Sequence, residues 1–111
     1  MTRKEIHKLD KLWSAKIRSR GKCEYCGATA GLHGAHIIGR RYRGTRWDLE
    51  NGLALCYTCH NGYDEHGPIE DIITNFIIGK ERKQRLIEKA KHAVTKNQDF
   101  ETIKESLGDK P

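Results

Sequence analysis

The chain begins with apolar residues at helical spacing. Between Lys4 and Arg20, Lys and Arg fill one face of the segment, while the apolar residues recur every three or four positions: Ile6, Leu9, Leu12, Trp13 and Ile17. This periodicity predicts an amphipathic N-terminal helix. Gly21 follows the last basic residue and ends the helix, because glycine accommodates the backbone that leaves a helix C-terminus.

Short apolar runs separated by glycine occupy the middle of the chain. The stretch TAGLHGAHIIGR predicts a small β-hairpin, because its glycines punctuate a short apolar run. The following segment, RRYRGTRWDLEN, is polar, cationic and aromatic without helical or strand periodicity, which predicts a loop. Apolar character returns in GLALCYTCH, which we interpret as a turn leading into a short helix.

Two further helices are expected in the C-terminal half. Pro68 suits the first turn of a helix, and the apolar stripe of that helix consists of Ile69, Ile72, Ile73, Phe76 and Ile77. Gly79 ends it, and a second helix is predicted over Lys80–Val94. Because the remaining tail offers few apolar residues, we expect one domain over 1–95 with its core over 21–67, and weak order over 96–111.

The composition describes a small, basic domain. A chain of 111 residues buries little apolar surface, so an additional stabilising link is expected. The net charge of +6 favours polyanionic partners. We expect a cytoplasmic location, because no apolar run is long enough for a bilayer and the N-terminus lacks the features of a secretory signal. Cysteines in that compartment stay reduced, which favours metal binding over disulfides.

Two CxxC pairs contain every cysteine of the chain: Cys23, Cys26, Cys56 and Cys59. The two-residue spacer lets both sulfurs of a pair bind one ion, so four thiolates predict a tetrahedral, structural Zn²⁺. Such a site is closed to catalysis because protein fills every coordination position. The alternative is a redox dithiol, which requires a thioredoxin-like βαβ setting that the sequence does not show.

Three segments around these pairs resemble a known signature. HGAHIIGR, RGTRWDLENGLALC and CHNGYDEHG place His36, Asn51 and His60 in the order of the HNH endonucleases. The resemblance implies an α+β fold, a ββα-metal (HNH) finger with a structural zinc bound by the four cysteines, flanked by an N-terminal helix and C-terminal helices. HIIGRR and TRWDLENGLALCYTCH are most similar to NinG-type phage recombination endonucleases.

The resemblance also implies roles for these residues in cutting DNA to 5′-phosphate and 3′-hydroxyl ends. His36 is the expected general base, since imidazole is suited to deprotonate water near pH 7. A single Mg²⁺ or Mn²⁺ is expected, bound partly by His60, with Asn51 orienting the base. Ala35 departs from the family, which commonly has a metal-binding Asp there. The candidate replacements are His33, Asp64 and His66.

A cationic segment follows the expected base and is the candidate DNA-binding surface. It contains Tyr42 and Trp47 among the arginines Arg40, Arg41, Arg43 and Arg46. Arginine donates paired hydrogen bonds to phosphate oxygens. The plainer interpretation is that the arginines form a solvated face and that Trp47 is partly buried. The basic residues of the N-terminal helix either extend the DNA-binding surface or simply face water: Lys8, Lys11, Lys16, Arg18 and Arg20.

Two other functions stay open at this point. In a non-catalytic zinc-ribbon DNA-binding module, positive charge is the function and Ala35 marks a lost metal site. In a protein-interaction zinc module, neither DNA nor catalysis is involved. The remaining histidines, His7 and His92, are interpreted as solvated helix residues. A homodimer is possible, because one nuclease centre cuts one strand at a time.

Overall fold

A computed structural model describes residues 1–92 and 99–108. Its regular elements are short apart from the first and fifth helices, and follow in the order α1 (Arg3–Arg18), β1 (Leu32–His36), α2 (Arg43–Arg46), a 3₁₀ turn (Leu49–Asn51), β2 (Gly52–Cys56), α3 (Tyr57–Asp64), α4 (Pro68–Ile72), a π-helical turn (Ile73–Ile78), α5 (Lys80–His92) and α6 (Phe100–Ser106). The α+β class with a two-stranded antiparallel sheet and flanking helices is confirmed. Within the described ranges, no helix has both the length and the apolar content to cross a membrane.

The hairpin differs from the sequence prediction in its second strand. β1 pairs antiparallel with β2, with Leu32 opposite Cys56 and His36 opposite Gly52. The strands are therefore joined by the long connection 37–51, which contains α2 and the 3₁₀ turn rather than an unstructured loop. The run GLALC is a buried strand. A strand buried on both faces is apolar throughout, so it lacks the alternation of apolar and polar residues by which a half-exposed strand is recognised.

The sheet lies between two apolar clusters. On one side, Leu9, Trp13 and Ile17 of α1 pack with Ala54 of β2. On the other side, the helices α3 and α5 and the π-helical turn contribute to a cluster around Leu53 and Leu55, with members such as Tyr63, Ile73 and Leu86. α1 and the sheet are in close contact, because a Cβ on Gly52 would lie 2.3 Å from Cδ1 of Ile17. The predicted N-terminal helix is thus confirmed as part of the core.

The stripe predicted for residues 69–77 is only partly buried. Ile73 is fully buried, whereas Phe76 is 82% exposed and Ile72 is exposed as well. Residues Ile73–Ile78 form a π-helical turn, in which Gly79 N–H donates to the carbonyl of Thr74. Because a π turn is wider than an α turn, the residues after Ile73 rotate away from the face that the α-helical period predicts.

The C-terminal segment contains a helix that the sequence analysis did not anticipate. α6 packs on α1, where Phe100, Ile103 and the buried Leu107 join the cluster of Trp13. The expected weak order over 96–111 therefore does not describe residues 99–108. Val94, the end of the helix predicted over Lys80–Val94, lies outside the described residues, as do the rest of 93–98 and the last three positions.

Candidate functional site

The four cysteine thiols converge at one end of the sheet. Their Sγ atoms all lie within 4.8 Å of one another, and those of Cys26 and Cys56 are 3.7 Å apart. Sulfurs at the corners of a tetrahedron around Zn²⁺, each at about 2.3 Å, lie about 3.8 Å from one another. The arrangement therefore fits a bound Zn²⁺, and a disulfide is excluded at this separation because bonded sulfurs lie about 2 Å apart.

The first CxxC pair lies in a tight turn with its own hydrogen bonds. Cys23 N–H donates to the Ala28 carbonyl at 2.8 Å, and Gly27 N–H donates to the Cys23 carbonyl at 2.9 Å. Gly27 has φ +81°, a backbone conformation that favours glycine. Burial acts to raise the pKa of Cys23, but hydrogen bonds from backbone N–H groups including that of Cys26 outweigh it and lower the pKa to about 6. A low pKa favours the thiolate that a metal requires.

His36 is held by a backbone acceptor and an aromatic ring. Its Nε2 lies 2.9 Å from the carbonyl oxygen of Arg46, which only accepts hydrogen bonds, so Nε2 carries the proton. The imidazole stacks on Trp13 with the ring centroids 3.9 Å apart and the planes 9° from parallel. Burial lowers the pKa of His36, although the hydrogen bond to Arg46 opposes the shift. The neutral ring therefore keeps a lone pair on Nδ1, the property required of a general base.

Asn51 fastens the long connection between the strands. Its Oδ1 accepts from Ile38 N–H at 2.7 Å, and its Nδ2 donates to the carbonyls of Ile38 and Thr45, each at 3.0 Å. The side chain is fully buried. Because these bonds join both ends of the segment between His36 and Arg46, they are placed to orient the base. The same bonds occupy Oδ1 and leave Asn51 unsuited to bind an ion.

An open cleft of about 630 Å³ brings the candidate residues together. His36 lines it at the end of β1, and His60 and Asp64 line it from α3. Residues of α1 and of the loop after β1 complete the lining of the cleft, and they include His7, Lys11 and Arg40. The expected base and the expected metal ligand thus share one solvent-accessible cavity.

Three potential ligands form a chain beside the cleft. Nδ1 of His33 lies 3.0 Å from Nδ1 of His60, and Nε2 of His60 lies 3.4 Å from Oδ2 of Asp64. A nitrogen and an oxygen at this second distance fit two positions on one ion, since each ligand lies about 2.1 Å from the metal. His66 does not join them, because it is mostly exposed and contacts Glu70. Of the three candidate replacements, the structure therefore brings two to His60.

The position of His33 follows from strand geometry. Side chains alternate between the two faces of a strand, so His33 and Ala35 lie on the same face of β1. Ala35 is buried and has no atom that can bind a metal. The imidazole of His33 thus projects from the face on which the family commonly has its Asp.

The arginines of the connection divide into two groups. Arg40, Arg41 and Arg43 are exposed, as a phosphate-binding surface requires. Arg46 instead makes a two-pronged contact with the carboxylate of Asp10 on α1, with Nε to Oδ1 at 3.0 Å and Nη2 to Oδ2 at 2.7 Å. The guanidinium of Arg46 is therefore already paired within the protein, and its role as a DNA contact stays a prediction. Trp47 is buried, as expected.

Basic residues at the edge of the sheet also bind the protein itself. Arg20, which the sequence analysis considered for the DNA surface, donates to the carbonyls of Leu49 and Gly52, each at 2.8 Å. Arg82 of α5 donates to the carbonyl of Glu50 at 2.7 Å. These two arginines hold the 3₁₀ turn that carries Asn51.

Sequence reasoning missed the contribution of the N-terminal helix to the cleft. Asp10, Trp13, His7 and Lys11 line it, although only Lys11 was considered as a functional residue. Trp13 belonged to the apolar stripe and Asp10 to the polar face, so neither carried a signal of its own. A feature of the sequence that could have indicated this role is Asp10, an acidic residue beyond the first turn on an otherwise basic polar face, three positions before Trp13.

Residues 23–65 match the family model of the HNH endonucleases. The matched segment runs from the first cysteine to the residue after Asp64, so it contains both CxxC pairs, His36, Asn51 and His60. It leaves out α1. No curated protein and no solved structure matches the chain. The resemblance to HNH endonucleases is confirmed over this segment, and the NinG-type subfamily stays a prediction.

Proposed function

We propose that the protein is a metal-dependent DNA endonuclease in which His36 is the general base. The observation that carries the proposal is the setting of His36. Its Nε2–H is bound to the Arg46 carbonyl, its ring is stacked on Trp13, and it lines the same cleft as His60 and Asp64. The match to the HNH endonucleases over 23–65 supports the reaction class.

In the proposed reaction, Nδ1 of His36 takes a proton from a water molecule, and the oxygen of that water attacks phosphorus in line. The bond from phosphorus to the 3′ oxygen breaks. The departing 3′ oxygen takes a proton from solvent, which leaves 5′-phosphate and 3′-hydroxyl ends. Because the hydrogen bond to Arg46 keeps the proton on Nε2, the ring does not need to rotate or exchange tautomers before it acts.

We assign the catalytic ion to His60 and Asp64, with His33 in a supporting role. His60 and Asp64 line the cleft, whereas His33 contacts His60 from behind through the pair of Nδ1 atoms. A ligating histidine typically has its other ring nitrogen hydrogen-bonded, which fixes its orientation. A bound Mg²⁺ or Mn²⁺ would neutralise charge on the phosphate and on the departing oxygen. Two protein ligands suffice for Mg²⁺, which usually keeps several waters.

The zinc held by the cysteines is structural in this proposal. Cys56 ends β2 and Cys59 lies one turn into α3, so the ion joins the strand to the helix that carries His60. Cys23 joins the same ion from the turn after α1. Four protein ligands leave no position for water or phosphate, so the zinc holds the cleft in shape and takes no part in the reaction.

DNA is the proposed substrate, held beside His36 by Arg40, Arg41, Arg43 and Lys11. The three arginines are exposed on the connection that follows β1, and Lys11 and Arg40 line the cleft itself. In this proposal the basic side chains contact phosphates and not bases, so DNA binding without strong sequence preference is expected. The resemblance of HIIGRR and TRWDLENGLALCYTCH to NinG-type enzymes supports a role in phage DNA processing within the host cytoplasm.

The test is nicking of supercoiled plasmid in Mg²⁺, Mn²⁺ and other divalent ions by the wild type, His36→Ala and His66→Ala. We expect nicking by the wild type, a loss of it in His36→Ala with zinc content and DNA affinity retained, and wild-type activity in His66→Ala. The second variant is a matched control because His66 is exposed and does not line the cleft.

Three results would overturn the proposal in whole or in part. Salt-sensitive DNA binding without nicking in any ion would establish the non-catalytic DNA-binding module. Absence of both binding and nicking would favour the protein-interaction module. Nicking that persists in His36→Ala would keep the nuclease and remove His36 as its base.

A further inference from the structure

α1 is joined to the connection behind His36 through one carboxylate. Asp10 accepts three hydrogen bonds, two from the guanidinium of Arg46 and one from the indole of Trp47 at 2.9 Å. Arg46 and Trp47 are consecutive, so the carboxylate holds two neighbouring side chains at once. A paired guanidinium and carboxylate have a fixed relative orientation, which a single point charge does not provide.

The backbone carbonyl of Arg46 is the atom that matters for His36. It accepts the Nε2–H of His36 at 2.9 Å, and its place in space depends on the side chains of residues 46 and 47. Trp13, three residues after Asp10 on the same helix, adds a second attachment, because its indole donates to the Asp48 carbonyl at 2.9 Å while its ring stacks on His36. The segment 46–48 is thus fixed to α1 on both sides of Trp47.

The contact is partly shielded from water and is formed by a charged carboxylate. The side chains of Arg46 and Asp10 are 16% and 24% exposed. Burial acts to raise the pKa of Asp10, yet the hydrogen bonds from Arg46 and Trp47 outweigh it, so the pKa lies below its ordinary value. Removing the carboxylate would leave the guanidinium and the indole N–H without their acceptor, which favours movement of the segment.

We propose that Asp10, on a helix outside the segment matched to the HNH endonucleases, is a positioning residue for the base His36. It fixes Arg46 and Trp47 so that the Arg46 carbonyl keeps the proton of His36 on Nε2 and leaves Nδ1 free for water. The inference rests on the proposed function of His36. It adds that the finger is incomplete as a catalyst without α1, although every residue expected to react lies within 23–65.

The experiment compares Asp10→Asn with wild type by steady-state cleavage and by ¹⁵N NMR of the His36 ring. Asparagine keeps the size of the side chain but presents one acceptor instead of two. Misplacement of a catalytic group by about 1 Å costs on the order of 100-fold in rate, so we expect kcat to fall roughly 10- to 100-fold with KM nearly unchanged. The NMR spectrum is expected to change from a single Nε2–H tautomer to a mixture.

A second variant separates positioning from general destabilisation. Arg46→Gln removes the same contact from the other side, and the double variant is expected to lose no more than the larger single loss, because both changes remove one interaction. Glu5→Gln is the control on the same helix. It weakens the capping box that Glu5 forms with Thr2 at the start of α1, Glu5 does not line the cleft, and the variant is expected to leave kcat and the His36 tautomer unchanged.

The outcomes distinguish this inference from the proposed function. Unchanged kcat and tautomer in Asp10→Asn would overturn the role of Asp10 while leaving His36 as base. A lower kcat with an unchanged tautomer, or an equal loss in Glu5→Gln, would also overturn it. If the wild type cleaves no DNA, the nuclease proposal fails, and the tautomer measurement still decides whether Asp10 positions His36.

Discussion

The cysteine cluster and the cleft lie within one small domain but are assembled in different ways. Each half of the cluster is a local CxxC turn, and one ion bound by all four thiols, which lie within 4.8 Å of one another, would join the halves. The cleft takes residues from α1, β1, the connection and α3, and its shape depends on their packing. We therefore expect metal binding at the cluster to determine whether the domain folds, and contacts across the domain to determine the proposed activity of the cleft.

The largest effect is expected from removing the zinc. Structural zinc contributes on the order of 10 kcal/mol of apparent binding energy, which is comparable to the whole stability of a small domain. Strong chelation, or Cys56→Ser, is therefore expected to abolish cooperative thermal unfolding measured by circular dichroism. Removal of Mg²⁺ alone is the control and is expected to leave the transition in place. A cooperative transition in the zinc-free protein would contradict the division between the two regions.

The next largest effect concerns the ion of the cleft. His60→Ala is expected to lower kcat by about 100-fold or more, and His33→Ala by about 10- to 100-fold, the loss typical of groups that orient a ligand. Both variants are expected to retain one zinc per chain and the wild-type unfolding temperature. If His33→Ala loses as much activity as His60→Ala, His33 is itself a ligand, and the assignment to His60 and Asp64 is wrong.

The variant Asn51→Ala tests how much the hydrogen bonds of Asn51 stabilise the connection 37–51. Asn51→Ala removes the partner of the Ile38 N–H and of the Ile38 carbonyl, whereas the Thr45 carbonyl keeps the hydrogen bond from Asp48 N–H. Buried groups left unpaired cost about 1–3 kcal/mol each, so we expect the free energy of unfolding to fall by about 3 kcal/mol in chemical denaturation. Asn61→Ala is the control, because Asn61 is exposed, and it is expected to change this free energy by less than about 0.5 kcal/mol.

The pH dependence of cleavage follows from the burial of His36. The base acts only when neutral, and burial lowers its pKa from 6.5, so activity is expected to rise with pH through a midpoint below 6.5 and then stay level. The profile of kcat/KM against pH measures this midpoint. A midpoint above 6.5 would mean that the group that limits activity is not the buried ring stacked on Trp13.

The smallest effect is expected at the wall of the cleft. Each phosphate contact contributes about one unit to the slope of log affinity against log salt, so Lys11→Gln is expected to flatten that slope by about one unit. Lys4→Gln is the matched control, because Lys4 lies on the same helix and does not line the cleft. Equal slopes for both variants would remove α1 from the DNA surface.

A region is easier to predict from sequence when the residues that form it lie close together along the chain. The zinc ligands and the turn at Gly27 could be predicted, because residues two or three positions apart determine a CxxC turn. His36, Asn51 and His60 came from the resemblance; His36 and His60 line one cleft and Asn51 is buried in the connection, and their roles stay predictions. The hairpin partner was wrong, because strand pairing across residues 37–51 is a long-range choice that the apolar run GLALC does not reveal.

Several of the remaining differences from the sequence predictions arise because the residue pattern of a segment does not show which residues that segment contacts. Asp10 and Arg46 pair across 36 positions of sequence, so neither residue type nor spacing could distinguish this arginine from its exposed neighbours. The placement of Phe76 in the apolar stripe was wrong for a different reason, because a π turn changes the helical period from which the stripe was predicted. The burial of Leu107 against α1 likewise depends on tertiary packing.

The most direct test of the central claim is single-turnover cleavage by His36→Ala with and without added imidazole. If His36 is the general base, the substitution abolishes cleavage, imidazole restores part of it in proportion to its concentration, and imidazole has no such effect on His60→Ala. Cleavage by His36→Ala at the wild-type rate without imidazole would contradict this role, since water activation would then not depend on the ring that Trp13 and Arg46 hold.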